Sequence, residues 1–131
     1  KRALEPQSDW PAAVAFARRT GAVVAISGEV DLVTDGTRVA RVRGGSALLT
    51  RVTGGGCSLG AVMAAFLGVV SPFDAAVAAS ALYAAASERA EAASSRPGSF
   101  AVAFVDALDA TEPADLAARV SVEDASEGDD A

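Results

Sequence analysis

Apolar positions along the first third of the chain change period twice. From Trp10 to Arg19 they recur at helical spacing (Trp10, Val14, Ala17), with Ser8 or Asp9 placed to cap and Pro11 in the first turn. Thr20-Gly21 stops that helix. Ala22–Ile26 is then a continuous apolar run rich in β-branched residues, the pattern of a strand buried on both faces. After the polar hinge Ser27-Gly28-Glu29, Asp35-Gly36 separates Val30–Thr34 from Thr37–Arg43, which predicts a hairpin. Val39 and Val42 break the alternation of the second arm, so an edge or bulged strand is expected there, ended by Gly44-Gly45.

Leu48–Val52 reads as a further extended piece that enters Gly54-Gly55-Gly56. Cys57–Val70 is apolar nearly all round, which predicts a buried helix. Ser71-Pro72-Phe73-Asp74 carries a serine cap, a first-turn proline and an acid placed for a capping box, so a helix is expected from there to about Ala93. Ser94–Ser99 reads as a loop. A final helix places Phe100, Phe104 and Leu108 on one face, and Thr111-Glu112-Pro113 is expected to end it. The domain is therefore drawn over residues 1–118, with 119–131 an acidic tail of disordered make-up. No internal repeat is present.

Composition narrows the classes. A chain of 131 residues with 51% hydrophobic content is one domain at most and long enough to bury a core. Much of that content is alanine, which predicts closely packed helices. The net charge of −6 and scattered arginines exclude a nucleic-acid surface. The single cysteine cannot form an internal disulfide, the N-terminus lacks a secretory h-region, and a cytoplasmic location is expected. Ala61–Val70 is too short to span a bilayer, which takes roughly 20 apolar residues. The absence of histidine removes His–metal sites, Ser-His-Asp triads and histidine bases together.

Candidate chemistry therefore concentrates at Thr53–Gly60. Glycines ahead of a helix let a ligand approach the backbone, while the first-turn amides and the helix dipole favour negative charge. Such a turn holds a phosphate, or is simply a tight connection. It is not a P-loop, because no lysine follows Lys1, and it is not a dinucleotide fingerprint, because the sixth position from Gly54 is Leu59. Cys57 is a base or nucleophile favoured by the helix N-terminus, or a small side chain buried at a crowded turn. Glu29, Asp31 and Asp35 read as solvated turn acids rather than metal ligands, and Arg51 and Arg96 as surface charge.

The run Leu49-Thr50-Arg51-Val52-Thr53-Gly54-Gly55-Gly56-Cys57 resembles the anion-hole signature of the hydroxyethylthiazole kinases, members of the ribokinase-like fold. Ala25–Asp31 with Val33–Gly36, Ser71–Tyr83, and Arg96–Phe100 with Asp106–Leu108 resemble three further segments of that family in the same order. The resemblance implies an α/β fold, the C-terminal half of a ribokinase-like three-layer sandwich with a partial sheet, into which Ala22–Ile26 and Leu48–Val52 would both fit. It implies transfer of the ATP γ-phosphate to the alcohol of 4-methyl-5-(2-hydroxyethyl)thiazole, with Mg²⁺, in a homotrimer. Ser27 matches a position that touches ATP and Gly54 one that touches the thiazole. Gly55, Gly56 and the Cys57 amide match the anion hole, and Cys57 the place where related sugar kinases carry an aspartate base. The family usually has threonine where Gly55 stands. Its chains are also longer, so a fragment is expected here, with Mg²⁺ ligands and much of the pocket in an absent N-terminal half. The alternatives are a non-catalytic remnant or interaction module of the same fold, or a hydroxymethylpyrimidine kinase.

Overall fold

The computed structural model describes residues 10–119 and 121–124. Its sheet grows from the Asp35-Gly36 turn. Asp35 Oδ1 accepts the amides of Thr37 (2.9 Å) and Arg38 (2.7 Å), and Oδ2 takes Arg38 Nε at 2.8 Å. Burial alone would raise this carboxyl, but the amides of Arg38 and Thr37 and the Arg38 guanidinium carry it down to about 2. Thr34 Oγ1, fully buried, accepts the Gly36 amide at 3.0 Å and donates to the Arg38 carbonyl at 2.9 Å. The turn thus joins β2 (Val30–Thr34) to β3 (Val39–Arg43).

Pairing from Val30↔Arg43 to Thr34↔Val39 advances one residue for one, so the expected bulge is absent. Nor is β3 an edge. The strand β4 (Ser121–Asp124) pairs with its other side, and β1 (Val24–Ile26) pairs with β2, giving an antiparallel sheet in the order β1-β2-β3-β4. The alternation in β3 is carried by Ala40 and Val42, both buried, while Val39 and Arg41 belong to the opposite face. The doubly buried strand expected at Ala22–Ile26 is instead a three-residue strand with Ala25 exposed. Among the described residues it has a neighbour on one side only, which leaves little to cover it.

Helices lie on both faces. The helix α1 (Trp10–Thr20) meets the face that holds Leu32 and Arg41: the Arg41 guanidinium sits over the Trp10 ring at 4.6 Å. Arg18 Nε also donates to the Gly36 carbonyl at 2.5 Å, fastening α1 to the hairpin tip. The long helix α3 (Pro72–Ala93) packs on the face of Val33, Ala40 and Val42. Its start is as expected, with Ser71 Oγ accepting the Asp74 amide at 3.2 Å and Pro72 in the first turn.

Against α3 pack α2 (Gly55–Phe66), α4 (Pro97–Ala110) and α5 (Pro113–Arg119). The shared core joins Leu48, Leu59, Ala79, Tyr83, Phe100 and Phe104. Phe104 meets Tyr83 edge-on at 4.6 Å and stacks on Phe100 at 5.9 Å.

Local structure departs from expectation in other places as well. Ala47–Arg51 is a 3₁₀ helix rather than a strand, because Ser46 Oγ accepts the Leu48 amide at 3.1 Å and turns the chain; only Val52 is extended. The helix expected at Cys57–Val70 starts at Gly55 and stops at Phe66, with only Leu59 buried, and Leu67, Val69 and Val70 are exposed beyond it. The loop before α4 ends at Arg96, since Pro97 already serves as a first-turn residue. The helix α4 ends at Ala110, as Thr111-Glu112-Pro113 leads one to expect, but Pro113 then opens a further helix: Asp115 Oδ2 accepts the Glu112 amide at 3.0 Å and meets Arg89 of α3 at 3.2 Å. Ser121–Asp124, within the stretch read as a tail, is strand β4; residues 125–131 lie outside the described ones.

Candidate active site

Gly54 ends the approach to α2 at φ 88°, ψ 0°, a left-handed conformation that admits glycine and little else. Ser58 N–H is the first amide of α2 to find an intrahelical acceptor, the Gly54 carbonyl at 2.9 Å. Helix geometry therefore leaves the amides of Gly55, Gly56 and Cys57 at the head of α2 for an acceptor from outside. Gly55 is pressed towards the Leu49 carbonyl, which a Cβ would meet at 3.3 Å. A Cβ on Gly56 would meet nothing within 4 Å, so the small residue there keeps open space over the turn.

The opposite wall comes from the β1–β2 hinge and the loop after β3. Gly28 N–H donates to Asp31 Oδ1 at 2.9 Å. Burial raises the Asp31 carboxyl above its usual 3.8, opposed by that same bond. In the loop, Gly45 N–H donates to Glu88 Oε1 (2.7 Å) and Ser46 N–H to the buried Ser87 Oγ (2.9 Å), so α3 holds this wall by two side chains. Between the walls lies a cavity of about 430 Å³, lined among others by Ser27, Asp31, Gly45, Gly55, Gly56 and Tyr83. A larger one of about 560 Å³, between α3, α5, β3 and β4, is lined mainly by aliphatic side chains and contains no residue of the glycine turn. The glycine turn opens onto the smaller cavity.

Three of the expected site residues, Ser27, Gly55 and Gly56, therefore meet around one space, whereas Gly54 and Cys57 are not among its lining residues. Gly54 sets the turn, and Cys57 contributes its position at the helix head. The Cys57 thiol is free and exposed among the described residues, rather than packed at a crowded turn within them. Of the acids, Glu29 and Asp31 line the cavity while Asp35 is consumed by its own turn. Arg51 and Arg96 are exposed and do not line it. Among the described residues no group of three or more Cys, Asp or Glu side chains is placed to hold a metal ion.

Sequence reasoning missed Tyr83, Ser46 and Glu88. The one available signal was Tyr83, the chain's single tyrosine, set in a helix of alanines.

A profile of the hydroxyethylthiazole kinase family matches residues 4–113. The chain belongs to that family. It is 57% identical over 105 residues to the hydroxyethylthiazole kinase of Gemmatimonas aurantiaca, covering 80% of this chain and 38% of the relative. With the hydroxyethylthiazole kinase of Clavibacter sepedonicus it shares 52% over 110 residues, 83% of this chain and 40% of the relative. A solved hydroxyethylthiazole kinase protein of Pyrococcus horikoshii superposes with a TM-score of 0.86 at 33% identity, over 90% of this chain and 46% of the other. The architecture is thus that of the ribokinase-like α/β fold, and the chain spans under half the length of these relatives. Among the described residues no helix is long and apolar enough to cross a membrane.

Proposed function

We propose that this chain carries the phosphate-side wall of a kinase that transfers the ATP γ-phosphoryl group to the hydroxyl of 4-methyl-5-(2-hydroxyethyl)thiazole. The observation that carries the reading is the meeting of Ser27, Gly55 and Gly56 around one cavity at the head of α2. In the transfer, the alcohol oxygen bonds to the γ-phosphorus, the bond to the bridging oxygen breaks, and its electron pair leaves on ADP. Charge on the transferring group is met by the amides of Gly55, Gly56 and Cys57, which need no reorientation. Ser27 offers its hydroxyl to ATP, Gly54 borders the thiazole, and Cys57 takes the alcohol proton.

Among the described residues no group of three acidic or thiol side chains stands ready for the Mg²⁺ that the family implies. Support for self-association, as the family's trimer implies, comes from exposed apolar residues on α4 (Val102, Val105) and after α2 (Leu67, Val69). The free, exposed Cys57 suits a reducing cytoplasm. The unit over residues 1–118 is proposed as the partial kinase domain.

The test is phosphorylation of the thiazole alcohol by the full chain as the gene encodes it, with ATP and Mg²⁺. Wild type is expected to turn over, and Gly56→Val, which fills the space above the turn, to lose at least about a hundredfold in rate. No transfer to the thiazole alcohol or to hydroxymethylpyrimidine would overturn the kinase reading, and transfer to the pyrimidine alone would reassign the substrate.

A further inference from the structure

The head of α2 is held from outside by a hydroxyl pair that the anion-hole reading does not include. Tyr83, 5% exposed, reaches across from α3 and donates to the Gly55 carbonyl at 2.5 Å. The same phenol oxygen lies 2.5 Å from Ser58 Oγ, and Ser58 Oγ lies 2.9 Å from the Gly54 carbonyl and 3.1 Å from that of Gly55. Two hydroxyl protons serve these contacts. With the Tyr83 proton on the Gly55 carbonyl, that of Ser58 goes to the phenol oxygen or to the Gly54 carbonyl.

The peptide planes give these bonds their meaning. The Gly55 carbonyl belongs to the same peptide as the Gly56 N–H, and the Gly54 carbonyl to the same peptide as the Gly55 N–H. A donor on each carbonyl fixes the plane, hence the direction of the N–H, and polarises it towards a stronger donor. Glycine has the freest backbone, and the Ser58 amide already holds the Gly54 carbonyl at 2.9 Å, so the hydroxyl pair adds a side-chain anchor to a glycine-rich first turn that backbone bonding alone holds less firmly. The phenol is itself immobilised, edge-on to Phe104 in the core.

We infer that Tyr83 is a positioning residue for phosphoryl transfer, aiming the Gly55 and Gly56 amides at the transferring group through their own carbonyls, with Ser58 as its relay. This rests on the kinase reading of the cavity. It assigns Tyr83 no contact with the reacting atoms.

Tyr83→Phe keeps the ring against Phe104 and removes the hydroxyl. In the full-length protein it is expected to lower kcat for the thiazole alcohol about tenfold or more, while KM for ATP and for the alcohol moves less than about twofold. Hydrogen exchange of the segment 53–59 is expected to quicken while that of the α4 segment around Phe104 does not, which separates loss of aim from general loosening. Ser58→Ala, at an exposed position, is expected to give a smaller kcat loss that does not add to that of Tyr83→Phe. Wild-type kcat in Tyr83→Phe, or unchanged exchange at 53–59, overturns the assignment. A wild-type protein without transfer activity overturns the kinase reading and the catalytic use of the clamp; the exchange comparison, which needs no turnover, tells that failure from failure of the clamp itself.

Discussion

Asp31 sits half-buried at the edge of the cavity with one oxygen on the Gly28 amide, and its carboxyl is raised above 3.8 because burial outweighs that bond. The unfolded chain therefore binds fewer protons than the folded one as pH rises from 3.8 through the folded value, so ionisation there subtracts from stability. Asp31→Asn keeps an acceptor for the Gly28 amide without the charge. Its melting temperature is expected to exceed wild type at pH 7, with the gain shrinking as the pH falls and gone below 3.8, where both states of Asp31 are protonated. Equal melting curves at pH 7 would contradict this. A group that lowers stability at a cavity wall fits a site shaped for a ligand rather than for rigidity.

At the scale of elements, the hairpin shows what local sequence can dictate. The Asp35-Gly36 pair, the Ser71 cap and the prolines Pro11, Pro72 and Pro97 act on their own neighbours, and each element they start is where the pattern puts it or within a turn of it. Tertiary contacts decided the others. Leu48–Val52 has strand-like residues, yet the Ser46 side chain and the burial of Leu48 make it a 3₁₀ turn. Val39 looked irregular because the strand's buried positions, Ala40 and Val42, include an alanine that hydropathy underweights. Even the hairpin depends on a distant residue: Gly36 lies at φ +92°, and a Cβ there would come 2.7 Å from the backbone nitrogen of Arg18. Gly36→Ala is thus expected to cost about 2–3 kcal/mol, from left-handed strain plus the clash with α1, read as a lower urea midpoint at unchanged m-value. A change below about half a kcal/mol would show that α1 gives way.

Across the whole molecule, one helix carries the design. On α3, Ala79, Ala85 and Ala86 are fully buried, and their small size lets the sheet, α2 and α4 approach the same axis. From that axis Tyr83 holds the glycine turn while Ser87 and Glu88 hold the facing loop. Ala79→Leu is expected to destabilise by about 1–3 kcal/mol through overpacking, and to slow transfer as well, because α2 would be pushed off its seat. Stability lost without any change in turnover per folded molecule would separate the core from the site. The glycine turn was legible in the sequence because its chemistry is contiguous. The clamp was not, since Tyr83 and Gly55 are joined only by folding. Nor was the exposure of α2, for an apolar helix reads as buried whether its cover lies within this chain or elsewhere.

The pairing of β4 with β3 has a consequence in time. Ala40 meets Asp124 across the sheet, so the ribosome makes α2, α3, α4 and α5 before β3 receives its second neighbour. The β1–β2–β3 meander can form early from residues close in sequence, but it waits through that interval with the edge of β3 that faces away from β2 not yet joined to β4. A nascent chain stalled before Ser121 would present this strand to any other extended segment in the cell, including its own copy on the next ribosome.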